Sequence, residues 1–100
     1  MTSENTANIS HNTKISLDSS LIFRIESDDW GLLFDPETGD NTAINPVGVV
    51  ICKNLNGLNT VLDLVEKVKD AFNGVTDQVE SDVIHFLQNL VSNGKATIIG

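Results

Sequence analysis

The sequence predicts an α+β fold in which a three-stranded antiparallel sheet is followed by three helices. Up to residue 44, β-branched and aromatic residues form short runs that turn-forming residues separate. From residue 45 onward, apolar residues recur at the three- and four-residue spacing of helices. Asn-Gly pairs, which favour the left-handed conformation that ends helices, follow the helical stretches. This order of elements predicts a winged-helix-like domain.

Three short strands are predicted before the helices. LIFRIE and WGLLF are the first two, and the turn-prone residues Ser27 to Asp29 separate them. DPETGD then places a proline at the second position of a turn and a glycine where positive φ is needed. NTAIN follows as the third strand. Tight turns between successive strands predict an antiparallel meander.

The first helix is predicted from Asn45 to about Leu55. Asn45 is a good N-cap, and Pro46 at the first helical position has no N–H to leave unsatisfied. The β-branched run VGVVIC could also form a buried strand, but the cap favours a helix. This helix is therefore predicted to be short and buried.

Two further helices are predicted over residues 60–72 and 77–92. The second helix carries an apolar stripe at helical spacing, and the third begins with Asp77 and Glu80, the pattern of a capping box. The segment KATII could return to the sheet as a final strand. The predicted helix stops are the three Asn-Gly pairs Asn56-Gly57, Asn73-Gly74 and Asn93-Gly94.

Residues 1–20 are predicted to form a flexible polar tail, and residues 21–100 a single domain. The first segment has too few large aliphatic residues to offset the entropy lost on ordering, although its last residues could pair with another segment. One hundred residues fit one domain.

Charge and cysteine content restrict the function. The net charge of −8 repels nucleic-acid phosphates and anionic membrane surfaces. The third predicted helix contains acidic residues and no Lys or Arg, which disfavours DNA binding by a winged helix. A single cysteine excludes an internal disulfide, and no secretion signal is visible. A cytoplasmic location is therefore predicted.

No metal site, cofactor site or catalytic site is predicted. In DPETGD the carboxylates of Asp35 and Glu37 fall out of register with a calcium loop, since position twelve is Pro46. Cys52 and His85 lack the closely spaced partners that zinc or nucleophilic catalysis requires. DPETGD is therefore predicted to be a turn, and the chain is predicted not to be an enzyme.

Four segments in the correct order resemble the PqqD-like family. They are WGLLFDPETGD, INPVGVVICKNLNG, TVLDLV and VESDVIHFLQNLVSNGKA, and the resemblance extends over residues 30–98. The sequence departs from the family pattern at Asp63, where relatives have Glu, at Cys52, where they often have Trp or Leu, and in its longer polar tail.

The resemblance implies a peptide chaperone, also called a RiPP recognition element. Such proteins bind the leader of a ribosomally made precursor peptide and present it to a modifying enzyme, often of the radical SAM class. The leader adds to the third strand of a winged-helix-like domain and lies beside the third helix. The residues predicted to bind it are Asn41, Thr42, Ala43, Ile44 and Asn45, through their backbone, and Asp82, His85, Phe86 and Asn89 on the helix.

Two other functions remain open from the sequence. A generic protein-interaction adaptor could use the same edge strand for a folded partner instead of a short peptide. DNA binding is the weaker alternative, because of the acidic third helix. For the leader-binding function, the net charge of −8 suggests a leader that contains Lys or Arg.

Overall fold

The structure, a computed structural model, describes residues 9–27, 30–72 and 78–99. These residues form nine elements, which are β1 (Lys14–Leu17), β2 (Ile22–Ser27), β3 (Trp30–Phe34), β4 (Asn41–Ile44), α1 (Pro46–Lys53), β5 (Asn56–Thr60), α2 (Val61–Ala71), α3 (Val79–Ser92) and β6 (Ala96–Ile98). The predicted α+β class with antiparallel sheets and three helices is confirmed.

The predicted meander forms the first sheet. Its strand order is β2-β3-β4, and both pairs are antiparallel. The turn between β3 and β4 is closed by two backbone hydrogen bonds, from Asp35 N to Asp40 O at 2.9 Å and from Gly39 N to Asp35 O at 2.7 Å. Gly39 has a φ of 80°, a backbone conformation that residues other than glycine rarely adopt. DPETGD is thus a turn that fixes the register of β4.

A second sheet, which the sequence analysis did not predict, has the strand order β5-β1-β6. The prediction of a single three-stranded sheet is therefore wrong. Residues 14–17 of the predicted tail form β1, the central strand of this sheet, with Ile15 1% exposed, so this part of the segment pairs with other strands as the sequence analysis allowed. One deeply buried isoleucine anchors a segment whose average composition is polar. The winged-helix arrangement stays a prediction.

The helices begin and end close to the predicted positions. In α1 the Asn45 side chain accepts a hydrogen bond from Gly48 N at 2.8 Å, which confirms the helix over the alternative strand. Asn93-Gly94 ends α3 as predicted. Asn56-Gly57 instead lies within β5, because α1 already ends at Lys53 with Asn54 as its C-cap. Asn73-Gly74 and Asp77 lie outside the described residues.

One hydrophobic core joins both sheets to the three helices. Its central side chains are fully buried and come from β1, β3 and each helix, so both sheets depend on the same packing. The largest of them are Ile15, Leu33, Ile51, Leu64, Leu87, Val61, Val65, Val68 and Val83.

The capping box at the start of α2 gives a pH-dependent prediction. The pKa of Asp63 is lowered from its ordinary value of 3.8, first by the backbone N–H of Thr60, which donates to its carboxylate at 2.9 Å. A lowered pKa stabilises the fold above the unfolded-state value, and this is lost as pH falls through the folded-state value. We expect Asp63→Asn to lower the free energy of unfolding at neutral pH, and the difference from wild type to vanish in acid.

Urea unfolding of the two proteins across this pH range measures the effect. Asp70→Asn is the matched control, because Asp70 is exposed near the other end of the same helix, where a negative charge opposes the helix dipole. If Asp70→Asn loses as much stability at neutral pH as Asp63→Asn does, the capping box has no specific role.

Candidate functional site

Strand β4 lies at one edge of the first sheet, and β2 lies at the other. Strand β4 pairs with β3 and with no other described strand. Because Asp35 donates its N–H to its register partner Asp40, the alternation of antiparallel ladders makes Leu33–Thr42 a hydrogen-bonded pair. The backbone N–H and C=O groups of Asn41 and Ala43 therefore point away from β3. These groups are available to an added strand.

A cleft of about 280 Å³ runs between this edge and helix α3. The helix side is formed by residues at the spacing of one helical face, which continues into the loop after α3. The lining residues are Thr42, Ala43, Ile44, Asn45, Phe86, Asn89, Leu90, Asn93 and Lys95. A strand added to β4 would therefore lie against α3 as well as against the sheet edge.

Gly48 allows the corner between β4 and α1 to close beneath this cleft. A Cβ atom at this position would lie 2.6 Å from Ile44 Cγ2 and 3.1 Å from the Phe86 ring. Phe86 is half-buried and packs on the core while it also lines the cleft. The missing side chain of Gly48 thus sets how closely β4, α1 and the Phe86 ring approach one another.

The cleft contains most of the predicted helix and strand residues, but not all of them. Thr42 to Asn45, Phe86 and Asn89 line it. His85 instead lines a groove of about 530 Å³ on the neighbouring face of α3, together with Glu80, Ser81, Ile84 and Gln88. Successive helical residues are rotated by about 100°, so His85 and Phe86 face different directions. Asp82 is exposed and is not among the cleft residues.

Three cleft residues were missed by the sequence analysis. Leu90 and Asn93 follow Phe86 by four and seven positions, so the helical spacing that selected Phe86 and Asn89 could also have selected them. Lys95 lies beyond the end of α3, where helical spacing no longer predicts which residues share a face.

The outer face of the first sheet is apolar and open to solvent. A shallow cavity of about 380 Å³ on this face is lined by Ile22, Arg24, Leu32, Phe34 and Asn41. Ile22 is 46% exposed. The opposite face of the same sheet packs on the core through Leu33, which is buried. Asn41 thus contributes its side chain to this face and its backbone to the open edge.

The single cysteine and the arrangement of possible metal ligands can be assessed directly in the described residues. Burial raises the pKa of the Cys52 thiol to about 12, so the sulfur stays protonated and unreactive at neutral pH. Among the described residues, no group of three or more His, Cys, Asp or Glu side chains could hold a metal ion. No described helix has both the length and the apolar character needed to cross a membrane.

The chain matches a family model over residues 31–94, which is more than half of its length. That model is described as coenzyme PQQ synthesis protein D (PqqD). The chain belongs to the PqqD family. The resemblance found in the sequence is therefore confirmed. Neither the curated proteins nor the solved structures compared with this chain gave a match.

The PqqD match includes both sides of the cleft. It begins within β3 and continues through β4 and α3 to Gly94. Strands β1, β2 and β6 lie outside the matched residues. Lys95 follows the last matched residue directly, so this cleft residue is not part of the segment that identifies a PqqD protein.

Proposed function

We propose that this PqqD protein binds the leader of a ribosomally made precursor peptide as an added strand on β4. The observation that carries the proposal is the open edge of β4, whose free backbone groups at Asn41 and Ala43 adjoin the cleft beside α3. An exposed edge can pair with any extended peptide, while pockets beside it select among side chains. Family membership supports the same role.

The energetics of such a complex are sufficient for reversible binding. Each added backbone hydrogen bond contributes about 0.5–1.5 kcal/mol net. An apolar leader side chain could contact Phe86, Leu90 and Ile44, which line the cleft. Four or five hydrogen bonds with one or two such anchors support a Kd of roughly micromolar order after peptide ordering is subtracted. Binding of this strength allows the leader to be transferred.

The proposed role ends with presentation of the leader to a modifying enzyme. PqqD-like proteins often serve enzymes of the radical SAM class, and here too the chemistry would take place in the active site of the partner enzyme. The chain itself would carry no cofactor and act in the cytoplasm, where precursor peptides are made. The Asp82 and His85 side chains, outside the cleft, would contact residues of the leader that extend beyond it.

An NMR titration of isotope-labelled protein tests leader binding. The ligands are leader peptides from short reading frames that flank the gene. We expect saturable shifts of the amide signals of Asn41–Asn45, Phe86 and Asn89, since these residues form the edge and the cleft. A scrambled peptide of the same composition is the control. Shifts confined to β1, β5 and β6 would contradict the proposed site.

A protein-interaction adaptor is the second candidate function. The exposed apolar face that includes Ile22, Leu32 and Phe34 favours it, because such a surface is typical of contact with a folded partner. This function needs no short extended ligand. It would be favoured if no isolated peptide perturbs β4 while a folded partner perturbs this face.

A further inference from the structure

The cleft beside β4 contains a cation although the whole chain is strongly acidic. The sequence contains six Lys and Arg residues and fourteen Asp and Glu residues. Among the described residues that line the cleft, Lys95 is the one that carries a charge, and the polar remainder consists of Thr42 and three asparagines. The local charge of the cleft therefore has the opposite sign to the net charge of −8.

The backbone of Lys95 is held in place by two hydrogen bonds. Its N–H donates to Leu90 O at 2.8 Å, and its carbonyl accepts from Asp18 N at 2.9 Å. The side chain is half-buried. No carboxylate of the described residues forms an ion pair with it. A half-buried cation on a fixed backbone, without a carboxylate partner among the described residues, favours an anionic group of a ligand.

We propose that Lys95 is a specificity-determining residue, which selects peptides with an Asp or Glu side chain among the residues that occupy the cleft. This inference rests on the proposed peptide-binding function. It differs from the sequence-based expectation of a basic leader, which considered only the net charge. At physiological ionic strength the Debye length is about 8 Å, so distant carboxylates are screened while a group in contact with the ligand is not.

Selection from a phage-displayed library of random linear peptides tests this proposal. The full-length wild type, Lys95→Glu and Lys67→Glu are each used as the target. Lys67→Glu makes the same charge change on the exposed side of α2, outside the cleft. We expect the wild type and Lys67→Glu to enrich peptides with Asp or Glu at a fixed distance from an apolar residue. Lys95→Glu should enrich Lys or Arg at that position.

Affinity measurements on one enriched peptide then give the size of the effect. Fluorescence anisotropy compares the peptide with its Glu→Gln or Asp→Asn analogue. We expect the wild type to prefer the acidic form by about five- to tenfold, and added salt to reduce this preference. Lys95→Gln, which removes the charge but keeps a similar length, should bind both forms within about twofold of each other. Circular dichroism establishes that each variant is folded.

The possible outcomes separate this proposal from the function on which it rests. If peptides are enriched without an acidic position, or if Lys95→Glu leaves that position unchanged, the role of Lys95 is wrong and peptide binding stands. In that case Lys95 only offsets the negative end of the α3 dipole. If neither the wild type nor either variant enriches any peptide over an empty support, the proposed function is wrong, and the proposed role of Lys95 is wrong with it.

Discussion

Replacement of Gly48 by alanine is expected to lower the free energy of unfolding by about 1–3 kcal/mol. The added Cβ would lie 2.6 Å from Ile44 Cγ2, well inside the normal contact distance of about 3.5–4.0 Å. Ile44 is 2% exposed and β-branched, so its methyl group has little freedom to move. This strain opposes the gain of about 1 kcal/mol that alanine usually brings to a helix interior.

The same substitution should weaken peptide binding, because the Phe86 ring, which would lie 3.1 Å from the new atom, also lines the cleft and would have to shift. Urea unfolding and peptide titration of one preparation measure both effects. Ile44→Leu removes the clashing branch at similar volume, so Gly48→Ala should be less damaging in that background. If Gly48→Ala is as stable as wild type and no rescue occurs, close packing at this corner is not a constraint.

The elements predicted correctly from the sequence are those fixed by neighbouring residues. Asn45 caps α1 through its own side chain, and Gly39 closes the β3–β4 turn through positive φ. Both signals lie within a few positions of the structure they determine. The second sheet has no such signal, because β1 pairs with residues 56–60 and 96–98, far along the chain. Only tertiary pairing shows that Ile15 belongs to the core.

The candidate site was predictable to a similar extent. The spacing of Phe86 and Asn89 placed both on one face of α3, and the structure puts that face beside β4. His85 was assigned to the same face, but the rotation between adjacent residues directs it to the neighbouring groove. Lys95 could not be found by helical spacing, because the turn after Ser92 decides its position. Periodicity thus describes the helix but not the loop that completes the cleft.

Replacement of Ala43 by proline is expected to lower peptide affinity by about tenfold or more, with a small loss of stability. The Ala43 N–H points to the open edge, so a proline ring there removes a donor for the added strand and blocks its approach. The β3 ladder keeps its hydrogen bonds, as for prolines found naturally at sheet edges. Proline fixes φ near −65°, away from the usual value in antiparallel strands, and this accounts for the small loss of stability.

Two comparison variants separate the backbone from the side chain. Thr42→Pro removes an N–H that faces Leu33 and leaves its acceptor without a partner, which should lower the free energy of unfolding by about 1–3 kcal/mol. Ala43→Thr retains the N–H and introduces a β-forming side chain, so it should bind peptide with an affinity close to that of wild type. If Ala43→Pro is folded and binds as tightly as wild type, the peptide does not pair with β4. The cleft would then bind the peptide through side chains alone, because an added strand cannot pair with β4 when residue 43 has no N–H to donate.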